Sequence, residues 1–134
     1  MTLKKRYISD IWNIYDFTTV ELPHPMKVAS YMDTDTEKAV AYLHDVLEDT
    51  NVTEDELRNM FPNEIVDTVI ILTHRKDESY FEYISRVSTS KLAKKIKVAD
   101  LLHNLDITRI KEPTKQDYQR LEKYKKAILY LATH

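Results

Sequence analysis

The chain has 134 residues, a formal net charge of −2, a sequence pI near 6.2, and neither cysteine nor glycine. This length allows one domain with a real core; the charge balance argues against a nucleic-acid-binding protein, and the lack of cysteine excludes disulfides and thiolate metal sites. Without glycine, phosphate-cradling loops and dinucleotide fingerprints are excluded, and turns must be built from Asp, Asn, Thr and Pro, which favours helices joined by short polar connections.

In chain order, Ile8, Ile11, Trp12 and Tyr15 recur at helical steps and predict a first helix from Tyr7 to about Phe17. Thr18 to Pro23 reads as a connection. Pro25 suits the first turn of a second helix and biases the residue before it towards extended geometry. His24 therefore stands at a helix entrance, off the ladder and free to aim inward; taken alone it serves equally as a cap or a surface residue. Asp33-Thr34-Asp35-Thr36 is a turn, in which Thr34 or Asp35 can cap a helix running to about Thr50-Asn51. Thr53 and Glu56 have capping-box spacing, with Leu57, Met60 and Phe61 as the apolar side of a short helix. Pro62 ends it and opens another, whose face is Ile65, Val66, Val69, Ile70 and Leu72. Thr73 to Ser79 is a charged loop. Tyr80 to Val87 is helical, Ser88-Thr89-Ser90 punctuates, and a long helix runs from Lys91 to about Ile107 with Leu92, Ile96, Ala99 and Leu102 on one side. After Glu112-Pro113-Thr114 a last amphipathic helix carries Leu121, Tyr124, Ile128, Leu129 and Leu131. The expectation is one all-α domain over residues 1–134, a bundle of seven or eight helices. No apolar run approaches the roughly 20 residues of a membrane span and no signal-peptide segment precedes the first helix. The chain reads as a soluble cytoplasmic protein.

The stretch Ala41-Tyr42-Leu43-His44-Asp45-Val46-Leu47-Glu48-Asp49-Thr50 interrupts this pattern. Val40, Leu43 and Leu47 form a buried stripe, yet two pairs of ionisable residues enter it four positions apart. On a continuous helix His44 lies one turn below Glu48, and Asp45 one turn below Asp49. Carboxylates in an apolar setting are normally paired or bound to a metal. The search for partners yields His24 and Asp100, the latter set among Val98, Ala99, Leu101 and Leu102. Two imidazoles and two carboxylates suit Mn²⁺, Fe²⁺ or Zn²⁺ with positions left for water or substrate. Lys97 and Asn104 share the face of Asp100. Lys97 can pair with Asp100 or meet a phosphate, and the Asn104 amide can donate to an oxyanion or orient a ribose hydroxyl. His74, His103 and His134 show no partner pattern, and His103 points about 100° away from Asn104 around the helix, which puts it behind the ligand set or at the surface.

Together, His24-Pro25, His44-Asp45 with Glu48-Asp49, and Lys97-Val98-Ala99-Asp100-Leu101-Leu102-His103-Asn104-Leu105 resemble the HD-domain phosphohydrolases, most nearly the hydrolase domain of RelA/SpoT enzymes and their small single-domain relatives. The resemblance spans roughly residues 20–131 and implies an HD-type bundle. It implies Mn²⁺ held by His24, His44, Asp45 and Asp100, with Glu48 and Asp49 acting at the water that attacks phosphorus. It further implies a nucleotide substrate, with removal of the 3′-pyrophosphate of (p)ppGpp the leading reaction. The sequence departs from those enzymes before the first histidine, where no Arg or Lys occurs between Arg6 and Lys27, and after Asn104, where Asp106 and Ile107 replace an Arg and a small polar residue. The basic residues left for an anionic substrate are Arg75, Lys76, Arg86, Lys94, Lys97 and Arg109. The departures keep open a metal-containing module that senses a nucleotide without cleaving it, and a purely structural helical domain.

Overall fold

The computed structural model describes residues 24–106 and 110–134. The helix expected over Tyr7 to Phe17, and Ile107 and Arg109, lie outside the described residues. Within them the chain forms eight helical segments and no strand: α1 (His24–Ala29), α2 (Asp35–Leu43), α3 (Val46–Asp49), α4 (Glu54–Met60), α5 (Asn63–Ile71), α6 (Tyr80–Val87), α7 (Lys91–Asn104) and α8 (Lys115–Thr133). No described residue has positive φ, in keeping with a chain that lacks glycine.

The helix starts follow local chemistry. Thr34 accepts from the Glu37 amide while Glu37 reaches back to the Thr34 backbone, and Thr114 and Asp117 repeat this reciprocal cap on α8. Thr53 accepts from the Glu56 amide, but the Glu56 carboxylate takes the Thr53 hydroxyl instead of completing the box. Ser79 and Ser90 cap α6 and α7. Each such cap contributes about 1 kcal/mol.

Two boundaries differ from the sequence reading. The helix expected to run through His44 breaks at His44–Asp45, with Asp45 at φ −106°, ψ 3°. The His44 ring donates from Nδ1 to the Ala41 carbonyl at 2.6 Å, the group that a continued helix would offer to the Asp45 amide. His44 and Glu48 therefore do not sit on one unbroken helix. In addition, α7 ends at Asn104, with Leu105 as its cap, rather than near Ile107.

α7 lies at the centre of the bundle, packed on α1, α2, α5, α6 and α8. It buries Ala93, Ile96, Ala99 and Leu101 against a core that includes Val28, Val40, Leu43, Val46, Val69, Ile84 and Leu131. Leu102 does not join its expected stripe and is 57 % exposed, because it lies 100° around α7 from buried Leu101. It borders an open groove of about 680 Å³ with Tyr31, Val98 and His103. Leu129, expected on the inner face of α8, is exposed; Ala127 and Leu131 hold that face. Among the described residues no helix is long and apolar enough to cross a membrane.

Candidate metal centre

Three parts of the chain meet at α7. His24 opens α1, His44 and Asp45 form the break between α2 and α3, and Asp100 projects from the middle of α7. One potential ligand atom from each of these four lies within 4.8 Å of all the others. His24 and Asp100 are 76 positions apart, yet His24 Nε2 is 2.6 Å from Asp100 Oδ1. His44 Nε2 is 3.1 Å from Asp45 Oδ2 and 3.4 Å from Asp100 Oδ1. His44 and Asp100 are buried, while His24 and Asp45 are half-buried and open the site to one side.

His44 provides the test of whether these residues suit a cation. Its Nδ1–H is committed to Ala41, so in the neutral ring Nε2 bears the lone pair. That nitrogen is buried and has no well-directed hydrogen bond, although two carboxylate oxygens approach it. A lone pair facing two anionic oxygens is stable only with positive charge between them, either a proton or a metal ion. Burial by itself lowers the His44 imidazole, but Asp100 and Asp45 outweigh it and push the group up to about 10. Burial likewise raises Asp100, and the bonds from His24 and His44 together with the Lys97 charge carry it well below the usual carboxylate range. The donor set and the geometry fit a divalent ion.

Lys97 Nζ donates to Asp100 Oδ2 at 2.9 Å, with 14 % of its side chain exposed, and also lies 5.1 Å above the Tyr83 ring. Asn104 Nδ2 donates to Asp100 Oδ1 at 3.2 Å. Both residues brought forward for substrate contact thus hold Asp100 here. Asp49 is exposed at the end of α3, and burial of its carboxyl followed by repulsion from Asp45 raises it. Glu48 is also exposed, and its Oε1 accepts from the His74 backbone N–H at 2.7 Å. Arg86, one of the basic residues considered for an anionic substrate, is engaged with Glu78 and two backbone carbonyls. A cleft of about 240 Å³ beside the site is lined by Asn104, Asp106, Asp117, Arg120 and Tyr124.

The sequence left His103 either behind the ligand set or at the surface, and the structure places it behind His24. Its ring stacks on His24 with centroids 4.8 Å apart, and the two Nδ1 atoms are in hydrogen-bond contact. One proton shared along that contact can sit on either ring, so His24 Nε2 can donate to Asp100 or present a lone pair to a cation. The signal was present: His103 follows Asp100 by three residues, which on a helix is a neighbouring position.

No protein-family model and no curated protein matches the sequence. Among solved structures, a metazoan orthologue of SpoT that hydrolyses ppGpp and plays a role in starvation responses superposes with a TM-score of 0.76 at 19 % identity, covering 98 % of this chain and 87 % of that one. The chain shares the fold of that enzyme, the HD-type helical bundle that its own motifs imply.

Proposed function

We propose that the protein is a metal-dependent phosphohydrolase of HD type acting on a nucleotide, with (p)ppGpp-like pyrophosphate removal as the leading reaction. The observation that carries this reading is the convergence of His24, His44, Asp45 and Asp100, with a buried His44 nitrogen aimed at two carboxylate oxygens. Those four would hold the ion, Mn²⁺ first, with Fe²⁺ or Zn²⁺ as alternatives. When bound, the ion supplies Lewis acidity, which acidifies a water and polarises a phosphoryl oxygen.

The protein's own groups do the rest. Glu48 and Asp49, on α3 directly after the His44-Asp45 pair, share the task of accepting the proton of the attacking water. Burial and the Asp45 charge raise the Asp49 carboxyl, which makes it a better proton acceptor than an unperturbed aspartate. Lys97 and Asn104 hold Asp100 in place. The cleft beside Asn104, with the Arg120 guanidinium on its wall, is where the nucleotide would lie. Purified protein supplied with Mn²⁺ should cleave at least one member of a nucleotide panel that includes ppGpp. A protein shown to bind Mn²⁺ stoichiometrically but cleaving none would refute the assignment.

The second reading is a sensor that keeps the metal and binds a nucleotide without cleaving it. It is favoured by the absence of Arg or Lys between Arg6 and Lys27 and by the internal engagement of Arg86 and Lys97. Glu48→Ala and Asp49→Ala separate the two: an enzyme loses turnover and keeps its metal, whereas a sensor's nucleotide affinity is unchanged.

A further inference from the structure

The loop between α5 and α6 is exposed and highly charged, yet it is tied down from within. Arg86 Nε and Nη2 bond the two oxygens of Glu78 at 2.8 and 2.9 Å. Its Nη1 donates to the Ile71 carbonyl at 2.8 Å, and Nη2 also donates to the Thr73 carbonyl at 2.9 Å. The two side chains are only 19 % and 9 % exposed. The Tyr83 hydroxyl donates to the Leu72 carbonyl at 2.5 Å. The His74 ring stacks on Tyr83 at 4.9 Å and bonds the Glu78 carbonyl through Nε2 at 2.7 Å. Most of these bonds close the loop on itself and on the end of α5. The backbone N–H of His74 leaves the loop and donates to Glu48 Oε1, 26 positions earlier, at 2.7 Å.

Glu48 needs such a partner. It is exposed at the end of a four-residue helix, where a free glutamate samples many rotamers. A backbone donor fixed by a bidentate guanidinium cannot drift with the loop, and a carboxylate held by one oxygen keeps the other oriented. We infer that Arg86 and the loop it organises are positioning residues for Glu48, holding its carboxylate through the His74 N–H so that Oε2 is the oxygen that receives the water's proton. This deepens the hydrolase reading and rests on it.

Two measurements on the full chain test the inference. By NMR hydrogen exchange without any substrate, the residue-74 amide should exchange slowly in the wild type and at least about tenfold faster in Glu48→Ala, since exchange reports the opening of that bond. In Mn²⁺-loaded protein, Arg86→Gln should lower kcat about 10- to 100-fold while KM and the Mn²⁺ Kd stay within about twofold, the pattern of lost orientation rather than lost binding. His74→Pro deletes the N–H and should lower kcat by a similar factor relative to His74→Ala, which retains it; this pair decides if Arg86→Gln does not fold. A residue-74 amide that exchanges equally fast with and without the Glu48 carboxylate, or equal kcat for the His74 pair, overturns the positioning role. A Mn²⁺-bound protein that cleaves no nucleotide overturns the hydrolase reading instead, and the exchange rates still decide whether the loop holds Glu48.

Discussion

Asp100 is the residue on which the site converges. His24, His44, Lys97 and Asn104 all reach its two oxygens. Asp100→Asn should abolish stoichiometric Mn²⁺ binding, read by elemental analysis, with the circular-dichroism spectrum kept. His44 sets the pH dependence of the metal-free protein. Its folded value lies near 10 against an ordinary 6.5, so its contribution to stability is fully present below pH 6.5 and is lost as pH rises through 10. The urea midpoint of metal-free protein should therefore fall between those pH values, and His44→Gln should remove that fall. At this scale the sequence told most about residues that break an apolar pattern, namely His44, Asp45 and Asp100. It told less about Lys97, whose neighbour in space decides between a phosphate and Asp100. His103 was left between a place behind the ligands and the surface, because it was measured against Asn104 rather than against Asp100.

The starts of α2 and α4 were legible because capping is a local matter: Thr34 and Thr53 each need only the residue three places on. Thr34→Ala should cost about 1 kcal/mol in chemical denaturation, with Thr34→Ser close to wild type. The break between α2 and α3 was not legible. The stripe of Val40, Leu43 and Leu47 continues through it, and only the capture of the Ala41 carbonyl by the His44 ring ends the ladder. The same limit applies to Leu102 and Leu129, whose spacing allows burial but whose neighbours do not provide it. The loop from Thr73 to Ser79 was recognised from its charge. Its rigidity was not, because the clamp joins Arg86 to carbonyls 13 and 15 positions away.

For the whole molecule, the four ligand candidates come from α1, the α2–α3 break and α7, so a cation there would join three parts of the bundle. Ligand linkage gives about 2.7 kcal/mol at a hundredfold excess over Kd. For a domain of this size that should raise the thermal midpoint by about 10 °C over chelated protein, measured by scanning calorimetry. An unchanged midpoint with metal bound would mean that the ion also binds the unfolded chain. The all-helical architecture followed from the missing glycines and from helical periodicity. The meeting of α1 with α7 rests on long-range packing, and in the sequence only the set of motifs pointed to it.

The ammonium of Lys97 has one more effect. Because it pairs with Oδ2 of Asp100 inside the bundle, that carboxylate keeps a counter-charge whether or not a cation is present. Lys97→Met would strip that buried carboxylate of its fixed cation, and the metal-free protein should then unfold at a lower urea concentration.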